Sequence, residues 1–188
     1  MIATRTEIKT LLQITDTTKD ALIDALIPIC QEEIIGYCNS HFASTIYNSD
    51  EEEYTGSNTI SFVASTKTIS DSSSLFPFSS GQDVYITGSK YNYGHYSIVT
   101  ATTSNLIVSE TLIDEAAGNN VNIKLVIWPK SLKVTMADMI NYKILGKDAG
   151  VTGESISGAM SYNFSAELGS FPLSLLAGLN KYRVVGLR

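Results

Sequence analysis

The sequence predicts an α+β fold: a small α-helical bundle interrupted by an inserted antiparallel β barrel or sandwich, followed by a C-terminal hairpin and a short helix. Three observations predict it. Apolar residues recur at helical spacing in the first forty residues and again after Trp128. Between these stretches the texture changes to Ser, Thr, Asn, Tyr and β-branched residues without helical period. A helix pair cannot close a core alone, so the third helix most simply packs on the second, and the β segment becomes an insertion. On this reading residues 1–50 are the first part of a helical core, 51–128 an inserted all-β domain, and 129–188 the rest of the core with its hairpin, helix and tail. A chain of 188 residues with 44% hydrophobic side chains can hide roughly 70% of its unfolded surface, enough for a proper core.

The elements follow in order. Thr6 reads as an N-cap for a short helix with Ile8, Leu11 and Leu12 on one side. Asp16-Thr17-Thr18-Lys19-Asp20 supplies a polar turn and a second cap. A long amphipathic helix comes next, whose predicted buried face carries Leu22, Ala25, Leu26, Ile29, Cys30, Ile34 and Tyr37, with Glu33 as its one polar interruption. Pro28 inside it removes a backbone donor and predicts a kink near Asp24, at a cost of about 3 kcal/mol if the helix does not bend. Strand candidates run over 59–64, 84–87, 96–100, 106–109 and 121–127, separated by turn signals such as Gly88-Ser89, Asn92-Tyr93-Gly94 and Gly118-Asn119-Asn120. Their spacing of about 10 residues suits a small antiparallel barrel or sandwich. Helical period returns at Leu132, Met136, Met139, Ile140 and Ile144, with Pro129 expected in the first turn and Gly146 as the stop. In the tail, Met160, Tyr162 and Phe164 alternate with polar residues as in a strand or hairpin arm, and Phe171-Pro172 starts a short helix with Leu173, Leu176, Ala177 and Leu179 on one side.

Composition excludes several functions. The formal charge is −6 and the Lys and Arg residues are scattered, so the basic footprint that grips nucleic-acid phosphates is missing; DNA nearby would pass rather than be held. Cys30 and Cys38 lie on one helix about 12 Å apart along its axis and cannot bridge each other. They read as buried thiols of a reducing compartment. The N-terminus has no basic head followed by an apolar core, and no run of ~18 apolar residues occurs; the expectation is a soluble protein made in the cytosol. Without a secretion signal, Asn163-Phe164-Ser165 is an accidental match to a glycosylation acceptor.

The catalytic inventory is thin, and no enzyme is predicted. His41 and His95 have no partner at metal-ligand spacing, and neither a phosphate-cradling glycine loop nor a nucleophile elbow is present. No catalytic residue, metal or cofactor is expected. The run Asp50-Glu51-Glu52-Glu53 lacks the alternation of a calcium loop and reads as a solvated, self-repelling linker. Tyr85, Tyr91, Tyr93 and Tyr96 enrich the β segment in aromatics; they suit a core or an interface, and as an alternative the stacking face of a carbohydrate- or surface-binding module.

Two blocks of sequence carry a resemblance. The first is Glu7-Ile8-Lys9-Thr10-Leu11-Leu12-Gln13-Ile14, a Thr/Asp-rich turn, and Asp20-Ala21-Leu22-Ile23-Asp24-Ala25-Leu26-Ile27-Pro28 leading to Ile34-Ile35-Gly36-Tyr37-Cys38. The second is Gly153-Glu154-Ser155-Ile156, Met160-Ser161-Tyr162-Asn163-Phe164 and Leu176-Ala177-Gly178-Leu179-Asn180-Lys181-Tyr182-Arg183. In this order, around a third helix, they resemble the head-to-tail connector (adaptor, head-completion) proteins of tailed bacteriophages. The chain departs from the compact family pattern by its β segment.

The resemblance implies a structural virion protein of the phage neck, made in the bacterial host cytoplasm. It implies a ring, of twelve subunits, below the portal protein. A tail-completion or stopper protein would dock beneath, with a channel for double-stranded DNA passing without sequence-specific binding and no membrane involved. It implies that the C-terminal tail reaches the portal, making Leu179, Tyr182, Arg183, Val184, Val185 and Leu187 portal-contact candidates. Glu51, Glu52, Glu53, Met160, Tyr162 and Phe164 are the corresponding candidates for subunit contacts or the channel wall.

Overall fold

The computed structural model describes residues 1–43, 53–56, 58–72, 77–145, 153–156, 160–163, 167–168 and 171–184. The fold is mixed α+β, and the chain divides into two compact units: a β unit of His41–Ile127 with Met1, and a helical unit of Ile2–Ser40 with Trp128–Arg188.

In the helical unit, α1 spans Arg5–Leu12. Its cap is Thr4, not the expected Thr6: Thr4 and Glu7 stand three apart, so the Thr4 hydroxyl accepts from the Glu7 amide while the Glu7 carboxylate accepts from the Thr4 amide, a reciprocal capping box. Helix α2 spans Asp20–Cys38 with Pro28 inside it, on the exposed side. Its buried stripe is Ile23, Ile27, Cys30, Ile34 and Cys38. This corrects the expected face, since Leu22 and Ile29 are 46% and 50% exposed. The helix carries apolar residues on two sides, so periodicity alone does not say which side is covered.

Helix α3 spans Leu132–Ile144 and packs on both α1 and α2 through Leu132, Met136, Met139 and Ile140. Pro129 lies before α3 rather than in its first turn; its carbonyl accepts from the Leu132 amide in the turn that launches the helix. A Lys133–Glu7 ion pair ties α3 to α1 and, together with the Thr4 amide, lowers the Glu7 carboxyl below the usual range.

The β unit holds β1 (Glu53–Gly56), β2 (Ile60–Val63), β3 (Thr68–Asp71), β4 (Asp83–Thr87), β5 (Gly94–Ala101), β6 (Asn105–Val108) and β7 (Val121–Val126). Among the described residues they form an antiparallel seven-stranded sheet in the order β1-β7-β4-β5-β6-β3-β2. Strand β5 pairs with β4 through its first half and with β6 through its second, with a register shift between Ile98 and Thr100 where it bends. The bend curls the sheet around one core that includes Ile60, Phe62, Ile69, Val84, Ile86, Ile98, Leu106, Val121 and Ile123.

The alternation expected for β4 and β7 fixes that inward face, whereas β1 and β3 lie outside the strands that the sequence predicts. β3 is short and polar, burying only Ile69 and Asp71, and gives no alternating apolar signal. The chain enters and leaves the β unit side by side: Ala43 bridges Val126, and the Ile127 amide donates to the Phe42 carbonyl at 3.0 Å.

The tail belongs to the helical unit. β8 (Gly153–Ile156) pairs antiparallel with β9 (Met160–Asn163), and β10 (Glu167–Leu168) with β11 (Phe171–Pro172). A single helical turn, α4 (Leu173–Leu176), continues into a 3-10 helix over Ala177–Tyr182.

Candidate docking surfaces

The tail residues singled out in the sequence meet the C-terminal end of α2. Asn39 stops that helix in the left-handed conformation (φ 47°), which turns its side chain and the preceding carbonyl toward the last described residues. The Tyr37 hydroxyl donates to Asn180 Oδ1 at 2.7 Å, the Val184 amide donates to the Cys38 carbonyl at 2.8 Å, and Asn39 Nδ2 donates to the Val184 carbonyl at 3.3 Å. Tyr182 and Ser131 share a hydroxyl hydrogen bond of 2.5 Å that lowers the Tyr182 hydroxyl below its ordinary range. The Arg183 guanidinium lies 5.7 Å over the Tyr37 ring. Residues 180–184 are thus strapped to α2 and to the start of α3.

Within that strap the candidates separate by exposure. Leu179 is fully buried in the helical core and Tyr182 is half-buried, while Arg183 and Val184 face solvent. Val185 and Leu187 lie outside the described residues. Of the second group, Glu51, Glu52 and Phe164 also lie outside them. Glu53 opens β1 in register with Lys124 of β7. Met160 and Tyr162 stand opposite Ile156 and Glu154 in the β8–β9 pair.

A second organised surface lies on the β unit and was missed in the sequence. Glu115, almost fully buried, sits just ahead of β7 and bonds by its own backbone to Phe62 of edge strand β2. Its Oε1 accepts from the Lys90 amide (2.9 Å) and Asn119 Nδ2 (2.7 Å). Its Oε2 accepts from Ser89 Oγ (2.6 Å), the Tyr91 amide (3.1 Å) and Asn92 Nδ2 (3.1 Å). Burial would push this carboxyl up, but the donors led by Ser89, Lys90 and Asn119 outweigh it and hold it at about 2. The buried Asn92 adds a two-way bond to the Ile113 backbone. The loop between β4 and β5 is therefore pinned from below, and its top displays Tyr91 and Tyr93, 50% and 60% exposed, with Lys90 Nζ 4.8 Å over the Tyr91 ring.

Beside the loop, His41 stacks on Tyr85 at 4.1 Å and its carbonyl accepts from His95 Nε2 at 2.9 Å. Burial lowers the pKa of both histidines. They fasten the incoming chain to the sheet. The tyrosines divide: Tyr85 and Tyr96 are buried, Tyr91 and Tyr93 are displayed. Glycine framing showed the turn, but nothing in the sequence around Glu115 showed its partners on the Ser89–Asn92 turn, more than twenty residues away.

Among the described residues no group of three or more His, Cys, Asp or Glu side chains is placed to hold a metal ion, and no helix is long and apolar enough to cross a membrane. The organised features are surfaces: a strapped terminal segment and a pinned aromatic loop on a two-unit α+β frame. Comparison with family models finds the phage gp6-like head-tail connector proteins, matched over residues 3–105. The chain belongs to that family and is a structural protein of the phage neck. The match takes in α1, α2 and the β unit as far as Asn105; the C-terminal motifs lie beyond it. No curated protein matches the chain.

Proposed function

We propose that this chain is an adaptor subunit that forms a ring of twelve copies beneath the phage portal and joins capsid to tail around an open channel for DNA. The observation that carries this reading is the connector-family match. The strapped C-terminal segment gives the reading a geometry: Arg183 and Val184 are exposed at the last described turn, and Val185 and Leu187 follow directly in the chain. An apolar, basic segment of this kind can add a strand to a neighbour or enter a groove. Tyr182, Arg183, Val184, Val185 and Leu187 are the portal contacts in this proposal, and the buried Leu179 seats the segment from within. Glu51, Glu52 and Glu53 give a DNA passage a repelling wall, while Met160, Tyr162 and Phe164 serve subunit contacts. A tail-completion protein docks below.

The β unit is, in the same proposal, an insertion into the helical core. Its side-by-side entrance and exit at Phe42 and Ile127 support this, because such a module can be added without separating the helices that flank it. The function is tested by binding purified portal protein to the full chain and to Val184→Asp and Arg183→Glu variants. Portal binding weakened about tenfold or more in the variants is the expected result. Unchanged binding removes the segment from the portal contact, and no binding by the native chain removes the function.

A further inference from the structure

Helix α2 carries a second apolar stripe that its own unit leaves uncovered. Leu22, Ala25, Leu26 and Ile29 stand at i, i+3, i+4 and i+7, on one face. Leu22 and Ile29 are about half exposed, Ala25 is exposed and Leu26 half-buried. Glu33 continues this face by one turn and Glu32 flanks it, both exposed. The surface is therefore apolar with an acidic end.

The pinned loop of the β unit has the complementary character. Tyr91, Tyr93 and Ile113 are 50%, 60% and 54% exposed, and the exposed Lys90 adds a cation. Ile113 is tied to the loop by its two-way bond with Asn92. Rigid, exposed aromatics lose little entropy on binding, which is why such residues dominate interface energetics. The buried carboxylate and asparagine hold the turn still, and a fixed binding patch gives that rigidity a use.

We infer that these two surfaces are the two sides of one contact between copies of this chain: the α2 stripe of one copy seats on the Lys90–Tyr93 loop of the next, with Lys90 facing Glu32 and Glu33. The occupant is argued from charge. The stripe ends in two carboxylates and the loop carries a lysine, so stripe against loop pairs opposite charges. A head-to-tail ring also requires two different, complementary patches on every copy. The inference rests on the proposed ring and names its subunit contact.

The test uses full-length chains distinguishable by mass, one carrying Ile29→Cys and the other Tyr91→Cys, mixed under mild oxidation with and without portal. A disulfide between the two variants is expected, with neither variant linking to itself. Charge reversal by Lys90→Glu or by Glu33→Lys should lower the yield roughly fivefold, and combining the two should restore it. Self-linking of Ile29→Cys, linkage of Tyr91→Cys to the portal, or no linkage between the variants overturns the inference. So does a glycan bound through Tyr91 and Tyr93 in place of a second copy. Imaging the portal mixture separates the two levels: rings without this disulfide leave the function standing and remove the contact, whereas absence of rings removes the function itself.

Discussion

Replacing Glu115 by Gln should destabilise the β unit by about 3 kcal/mol at neutral pH, and two routes lead to that figure. The first is linkage. A carboxyl held at about 2 against an ordinary 4.5 contributes about 3 kcal/mol once it is ionised in both states, at roughly 1.4 kcal/mol for each tenfold change in proton affinity. The second is hydrogen bonding. In its better orientation the amide keeps the three donors now on Oε2 and turns its NH2 toward the Lys90 amide and Asn119, losing two bonds. Each lost bond that leaves a buried donor costs about 1–3 kcal/mol.

Because the folded-state pKa is depressed, the stabilisation is present above pH 4.5 and disappears as pH falls towards 2. Urea unfolding of both proteins, followed by circular dichroism between about pH 7 and pH 3, measures the gap. A gap of about 3 kcal/mol at pH 7 that narrows continuously toward pH 3 is expected. A variant within about 0.5 kcal/mol of the native chain at pH 7, a surface-like effect, or a gap independent of pH, would refute the assignment of Glu115 as the anchor of the loop.

Other outcomes follow from the same structure. Pro28→Ala should raise stability by about 2 kcal/mol, since an interior proline costs about 3 kcal/mol relative to alanine and the stiffer unfolded chain returns about 1; a lower urea midpoint would show that α2 needs the proline. Cys30 is fully buried and its thiol is pushed up to about 12 by burial, and Cys38 is buried and raised for the same reason. Both should resist a thiol reagent at neutral pH until the chain is unfolded; rapid modification of the native protein would contradict the packing of α2. Replacing residues 43–126 by a short Gly-Ser linker should leave helical circular dichroism and portal binding in place, because Phe42 and Ile127 are already hydrogen-bonded neighbours. Loss of helical signal in that deletion would show that the helical unit depends on the β unit to fold.

Much of this architecture was legible in the residues. The helical period around Met136 and Ile140, the alternation of Val84 and Ile86 and of Val121 and Ile123, and the glycine-framed turn before β5 all correspond to observed elements. The face of α2 was not. Ile23 and Ile27 lie a third of a turn from Leu22 and Leu26, and two comparably apolar stripes give the periodicity no preferred side. Thr6 mimics a cap because it stands beside the same acidic residue, but only Thr4 has Glu7 at the third helical position. β3 was illegible because it is held by pairing with β2 and β6 rather than by its own apolar content. The Glu115 anchor joins residues distant in sequence, and no local pattern encodes it.

A ring under the portal is the proposed working form of this family member. Cryo-electron microscopy of the full chain mixed with its purified portal tests it most directly. The expected result is a closed ring of these subunits on the portal's tail-facing side, an open axial channel, and density for the segment following Val184 running into the portal. Portal particles that remain bare, or a subunit attached without a ring or with its C-terminal segment pointing away from the portal, would contradict it.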